Sequence, residues 1–313
     1  MDIDRFAPDI FHVHNAFRAG RLLLDAALSG VRGRLPLVVS PSGTDLNIES
    51  RVLGRREIVE EVLDRADAII VQSEEGRSRL AEIVPAKMDR VFSAPKAFVW
   101  LGEEPYDLRA SCGFGAGDVL FFMPAGIRPV KGNLECLLGF ETVHGRRPNA
   151  RIVFSGPALD KVYADRFQKE VRRRAQFARW IPPIAPAAMR SAYASADVVL
   201  NGSFSEGLSN VLVEGKAAGR PLFASDVPGN RWPVLGDQGD APMGLLFEHS
   251  RTDDFVGKAL KLIDDEGLRR RLGEAGAAYA SLMPGPCDEA RALITVYRDA
   301  MGGLRGKEPA GSG

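Results

Sequence analysis

The sequence predicts an α/β protein of two successive halves, each a parallel sheet flanked by helices. Three observations carry this. Short β-branched runs alternate with amphipathic segments along the chain, the pattern of repeated βαβ units. A proline- and glycine-bearing stretch at 95–117 interrupts the alternation, which then restarts at 118. At 313 residues, with 45% hydrophobic and 26% charged residues, the chain has room for two ordinary soluble domains. Lys+Arg and Asp+Glu both total 41, so no basic field points to nucleic acid. Cys112, Cys136 and Cys287 lack metal-ligand or disulfide spacing and read as reduced thiols. No run reaches the ~18 apolar residues of a membrane-spanning helix, and no signal peptide is recognised, so a cytoplasmic location is expected.

In the first half, residues 9–14 and 37–40 read as strands with a helix at 16–28 between them, one βαβ unit. His14 would stand at a strand's carboxyl end, either facing a cleft or satisfied locally, whereas His12 points to the opposite face and reads as core. Arg18 and Arg21 read as a solvated helix face. Ser42, Gly43, Thr44 and Asp45 follow the second strand. They could offer backbone N–H groups and a carboxylate to a ligand, or form a plain turn with Asp45 capping the next helix. A charged amphipathic helix is expected at 49–65, a buried strand and cap at 66–73, a helix at 74–83 and a short strand at 90–94. The first domain is therefore residues 1–100. A four-stranded parallel sheet needs cover on both faces, and three helices do not obviously supply it. Dimerisation through this domain, or a tendency to associate, is expected.

The second half opens with a strand at 118–123. Between it and a helix ending near His144 lies PAGIRPVKG, with Gly126, Arg128, Lys131 and Gly132. Two cations and two glycines between strand and helix suit a diphosphate. A strand and turn follow at 150–157 and a Lys/Arg-rich helix at 160–176, whose Arg172-Arg173-Arg174 run reads as a solvated face. Residues 180–183 form a short strand. The densest stretch is 201–230, NGSFSEGLSNVLVEGKAAGRPLFASDVPGN. The run 196–200 before it is a buried strand; Gly202, Ser203, Ser205 and Gly207 break the pattern into a loop. Ser209 is an N-cap for a helix at 210–218, which Gly219 ends, and 222–224 is the next strand. Leu208, Val211, Leu212 and Gly215 would face the core, and Asn210 and Glu214 share another face. Gly207, Leu208, Ser209 and Asn210 bring a helix start, with its unpaired N–H groups, to the loop's end. Glu214 lies about 6 Å along the axis from Asn210, within reach of a ribose diol while a phosphate sits at the helix start. Glu206 could hold the hydroxyls of a sugar on the far phosphate. The last strand is expected at 244–247, then helices at 252–265, 267–282 and 288–301, and a disordered tail from Gly302. The second domain spans 101–285; residues 286–313 comprise the final helix and tail.

Glu206 and Glu214 in the setting S-E-G-x-x-N-x-x-x-E, with G-I-R-P-V-K-G and S-G-T-D upstream, resemble the glycosyl transferases group 1 family. Within it the pattern is most similar to the glycosyltransferase-1-domain-containing proteins. The resemblance implies the GT-B type of fold, two Rossmann-like domains facing a cleft, with the final helix crossing back to the first. The family opens with further βα units before a His-x-His segment, so the first domain reads as truncated at its amino terminus, either because the true start lies upstream or because the domain is naturally short. Ser42 stands where the family often has His, and Arg128 is shifted by one residue toward Lys131. The implied activity is a retaining transfer from a nucleoside-diphosphate sugar, UDP-linked, to an unknown acceptor, with no metal or other cofactor. Arg128, Lys131 and Glu206 would be catalytic, while Gly126, Gly207, Leu208, Ser209, Asn210 and Glu214 bind the donor. His14, Ser42, Gly43, Thr44 and Asp45 would contact sugar or acceptor. A nucleotide-sugar epimerase, a phosphorylase, and a non-catalytic nucleotide-sugar binder or partner subunit of another transferase are the alternatives.

Overall fold

The computed structural model describes residues 7–24, 35–236 and 242–305, which form two compact units, Met1–Ala97 with Pro284–Gly313, and Phe98–Met283. In the first unit β1 (Phe11–His14), β2 (Leu37–Ser40), β3 (Ala68–Val71) and β4 (Val91–Ser93) pair in parallel, in sequential order. Sequential parallel strands joined by crossovers of one hand place every connection on one face. There α1 (Thr44–Asn47), α2 (Arg56–Asp64) and α3 (Glu74–Ile83) bury Leu46, Val59, Val62, Leu63 and Leu80 against Val13, Val39, Ile69 and Val71. The other face carries Val38, Ala68 and Ile70, and the C-terminal helix Pro286–Arg305 covers it with Val296 and Ala300. The bare apolar face expected from the sequence is thus covered by a helix that arrives from the far end of the chain.

Local departures have local causes. The helix expected at 49–65 is a 3₁₀ turn, Glu49–Arg51, then α2, because Gly54 takes φ +79° between them. The helix expected at 16–28 is a turn followed by a 3₁₀ segment, Gly20–Leu24, and residues 25–34 lie outside the described residues. The 95–117 stretch contains α4 (Leu108–Cys112), and its residues from Phe98 belong to the second unit. Ser73 caps α3 as expected, its hydroxyl accepting from the Gly76 N–H at 3.1 Å. The C-terminal helix runs to Arg305, beyond Gly302, and residues 306–313 lie outside the described residues.

The second unit is a six-stranded parallel sheet of β5 (Val119–Pro124), β6 (Ala150–Ser155), β7 (Ala178–Ile181), β8 (Val198–Asn201), β9 (Leu222–Ser225) and β10 (Gly244–Phe247). The strand order is β10-β9-β8-β5-β6-β7, with the chain starting in the middle. On one face α5 (Asn133–Arg146), α6 (Lys161–Arg173) and α10 (Thr252–Asp264) pack Phe140, Phe167 and Phe255 against Phe121, Phe154 and Phe223. On the other, α7 (Met189–Ala194), α8 (Asn210–Ala217) and α9 (Pro228–Leu235) pack Tyr193, Leu212 and Val234 against Phe122, Val199 and Ala224. Helix α9 begins shortly after β9 ends at Ser225. Pro228 sits in its first turn, where a missing N–H costs nothing. Arg173 and Arg174 pair with Glu170, and Arg174 also with Glu141, so the arginine run is an ion-paired surface.

Candidate functional site

The site lies where the strand order reverses. Strands β5 and β8 are neighbours, yet the chain leaves β5 for α5 on one face and β8 for α8 on the other. The two loops diverge from the carboxyl ends of adjacent strands and leave a crevice, the usual ligand position in an open α/β sheet. Both loops are followed by helix starts, whose partial positive charge suits an anion.

Glycine lets these loops touch. Gly132, at φ +63°, is the N-cap of α5; a β-carbon there would lie 2.1 Å from the Gly202 carbonyl oxygen. A β-carbon on Gly202 would in turn meet the Cys136 sulfur at 2.2 Å. The Phe204 N–H donates to the Val130 carbonyl at 2.8 Å, closing one loop on the other. Gly126 is packed under Leu159, and the Ile127 N–H donates to the Pro157 carbonyl, which anchors the first loop to the end of β6.

Two catalytic candidates meet across this contact. Lys131 Nζ lies 2.6 Å from Glu206 Oε1. The same oxygen accepts from Ser203 Oγ at 2.6 Å and Asn201 Nδ2 at 3.3 Å. Arg128 takes no part in that cluster. Its backbone N–H is 3.3 Å from Asn133 Oδ1, and its Nε is buried with no hydrogen-bond partner among the described residues. Ser209 is positioned as the N-cap of α8 but does not cap with its side chain. Its hydroxyl instead accepts from Asn201 Nδ2 at 2.6 Å. Leu208 is half-buried and Asn210 exposed at the helix start, while the Gly207 carbonyl packs under Gly229 of α9. Glu214 is half-buried on α8, and Tyr193 donates to its Oε2 at 2.6 Å. The buried face of α8 is wider than expected, since Val213 and Lys216 join Leu212 and Gly215; Lys216 lies over the rings of Trp232 and Tyr279.

From residue 107 to residue 279, more than half of the chain, the sequence matches the model of the glycosyl transferases group 1. The chain belongs to that family. Residues 3–95 match the glycosyl transferase 4-like domain. The chain is 24% identical over 274 residues to glycosyltransferase 1 domain-containing protein 1 of Xenopus tropicalis, covering 85% of this chain and 74% of that one. It is 26% identical over 244 residues to the D-inositol 3-phosphate glycosyltransferase of Nocardia farcinica, covering 74% of this chain and 52% of the relative. It thus spans about half the length of that relative. Among solved structures it resembles Anabaena Alr3699/HepE in complex with UDP and glucose, at TM-score 0.75 and 16% identity over 97% of this chain and 79% of that one. It also resembles sucrose-phosphate synthase from Thermosynechococcus elongatus, at TM-score 0.78 and 16% identity over 96% of this chain and 76% of the other. These likenesses show the fold, the GT-B type.

In this group 1 glycosyltransferase the remaining candidates form a cluster of their own in the first unit. His14 is exposed at the end of β1, its ring 4.4 Å from that of His12. Ser42 Oγ accepts from Asn15 Nδ2 at 2.6 Å, and Gly43, at φ +92°, precedes Thr44, the first residue of α1. Asp45 departs from the expected ligand contact. It is fully buried, and its carboxylate accepts the N–H groups of Ala16 at 2.7 Å, Ser42 at 3.0 Å and Leu46 at 3.1 Å. It therefore ties the loop after β1 to the loop after β2. His12 is only half-buried, with Nδ1 2.7 Å from the Tyr297 hydroxyl and Nε2 2.8 Å from Ser40 Oγ. Burial and the neighbouring His14 push its pKa down to about 4, so it is neutral at neutral pH.

Four site residues escaped the sequence reading. Asn201 and Ser203 bind Glu206, His249 supports the loop, and Asn15 adopts φ +78°. Burial lowers the His249 pKa; its neutral ring lies 3.1 Å from the Ser203 carbonyl through Nε2, which must carry the proton there. The same ring stacks on Phe204 at 4.0 Å. A polar residue ending a β-branched strand was the available signal for Asn201. His249 had none, lying 46 residues from its partner. Among the described residues, no three His, Cys, Asp or Glu side chains are grouped to hold a metal ion, and no helix is long and apolar enough to cross a membrane.

Proposed function

We propose that the chain transfers a sugar from a nucleoside-diphosphate sugar, UDP-linked, to an acceptor with retention of anomeric configuration. The observation that carries this reading is the meeting of Lys131 and Glu206 at the switch point, with Glu214 one helix turn beyond the start of α8. The diphosphate would lie at the start of α8, between Lys131 and Arg128, whose buried and unpartnered Nε suits an anionic oxygen. Glu214 would accept from the ribose diol and Glu206 from hydroxyls of the transferred sugar.

As the glycosidic bond breaks, negative charge grows on the departing diphosphate. Lys131, Arg128 and the helix N–H groups would meet that charge, and so would stabilise the transition state more than the bound donor. This charge neutralisation is the reason the reading needs no metal or other cofactor. Glu206 Oε1 is held by Lys131, Ser203 and Asn201, an arrangement that binds hydroxyls and dulls a carboxylate as a nucleophile. Front-face displacement, with the leaving diphosphate taking the acceptor's proton, accounts for retention without a covalent intermediate. The cluster of His14, Ser42, Gly43 and Thr44 supplies the sugar or acceptor contacts of the first unit.

Calorimetry separates the two glutamates. Glu214→Ala weakens both UDP and UDP-sugar, by about 1.5–3 kcal/mol as for loss of a charged hydrogen-bond partner. Glu206→Ala weakens UDP-sugar and spares UDP. Equal losses of UDP affinity in both variants would remove the assignment, and product anomers read by NMR decide retention.

A further inference from the structure

Tyr193 is a buried titratable side chain that the proposed reaction does not use, yet it reaches the site. It lies on α7, fully buried, with its ring edge-on to Phe122 at 5.4 Å and tilted against Trp100 at 5.9 Å. From this packed ring the hydroxyl donates to Glu214 Oε2 at 2.6 Å. Burial and the Glu214 charge both hold the phenol well above its ordinary pKa, so the proton stays on the tyrosine oxygen. A glutamate on a helix surface has three rotatable bonds and much rotamer freedom to lose on binding. A short bond from a neutral donor to a carboxylate is among the stronger hydrogen bonds, and a carboxylate has lone pairs for further donors. The bond fixes the Glu214 carboxylate in one rotamer before any nucleotide arrives, and its own donor is held by the packed core between β5 and β8.

We propose that Tyr193 is the positioning residue that presents Glu214 to the ribose diol, so that the site selects ribonucleotides over nucleotides lacking those hydroxyls. This rests on the ribose role of Glu214 proposed above. Sequence spacing hides it, because the two residues are 21 positions apart and flank β8 on different helices.

The test is calorimetry of the full chain with UDP and with 2′,3′-dideoxy-UDP, using wild type, Tyr193→Phe, Glu214→Gln and the double variant. Wild type should prefer UDP by roughly tenfold, the worth of a charged hydrogen bond. Tyr193→Phe keeps the ring packing. It should lower UDP affinity severalfold, leave the dideoxy nucleotide within about twofold, and shrink the preference. Glu214→Gln should shrink it too, and the double variant should lose little beyond the worse single one, since both changes break one device. A wild-type preference retained in Tyr193→Phe overturns the proposal, as does an equal weakening of both nucleotides or strict additivity with Glu214→Gln. A different failure belongs to the ribose assignment itself: wild type with no preference, and Glu214→Gln binding UDP as wild type does.

Discussion

Replacing Lys131 by Met tests the reaction and the architecture together. The ammonium and the Glu206 carboxylate stand 2.6 Å apart, and their side chains are only 20% and 12% exposed. At an effective dielectric constant near 20 their direct attraction is about 6 kcal/mol. Desolvation of two partly buried ions offsets most of this, and Ser203 and Asn201 still serve the carboxylate in the variant. The net stability loss should therefore be about 1–3 kcal/mol, or roughly 2–4 °C in melting temperature for each kcal/mol in a unit of this size. Turnover should fall much further. A lost preorganised donor at a developing charge typically costs about 2.7–4 kcal/mol, or 10²–10³ in kcat. Donor affinity should change less, because the lysine merely exchanges Glu206 for the ground-state diphosphate. Steady-state kinetics with a UDP-sugar, beside thermal melting, separates these terms. Wild-type kcat with a raised KM would make the lysine a simple binding contact. A Lys131→Met, Glu206→Gln cycle with coupling below about 0.5 kcal/mol would refute the energetic link between the two loops.

Other outcomes follow from the same geometry. Gly132→Ala forces φ +63° on a residue with a β-carbon and drives it into the Gly202 carbonyl, so melting temperature and UDP affinity should both drop, the latter more than about tenfold. Unchanged UDP binding would mean that the close approach of the loops is incidental. Asp45→Ala strips the buried N–H groups of Ala16 and Leu46 and the part-buried one of Ser42 of their acceptor and should cost about 3 kcal/mol in denaturant unfolding; a loss under 1 would assign those bonds no weight. His12 binds a proton in the unfolded chain below its ordinary 6.5 but in the folded chain only near about 4. Its contribution is therefore complete above pH 6.5 and is lost as pH falls toward 4. Tyr297, Ser40 and His14 face it, and unfolding followed across this range should flatten in His12→Gln.

Much of the site was legible because its signals are local. The β-branched run before Asn201, the glycine and serine breakers, and Gly219 at φ +67° after α8 mark a strand, a loop and a helix within thirty residues. Backbone preference acts over a few positions, and so those boundaries appear in sequence. Helix α9 is hidden for the same reason, since Pro228 and Gly229 look locally like loop residues although the first turn of a helix tolerates proline. The pairing of Lys131 with Glu206, 75 residues apart, has no local trace. Neither has the bond from Tyr193 to Glu214, nor the inward turn of Asp45.

By itself, the sequence determined the alternation of strands and helices, the family, and the loops from which the candidate site residues come. Only the tertiary structure decided the strand order that puts the ends of β5 and β8 side by side and sends their helices to opposite faces. The resemblance implied that the final helix crosses back to the first domain, but only the structure decided that it covers the sheet face of Val38, Ala68 and Ile70. The physical reason is common to both. Periodicity shows that a face is apolar, but burial is non-directional, and which partner covers that face is settled by packing among segments far apart in the chain.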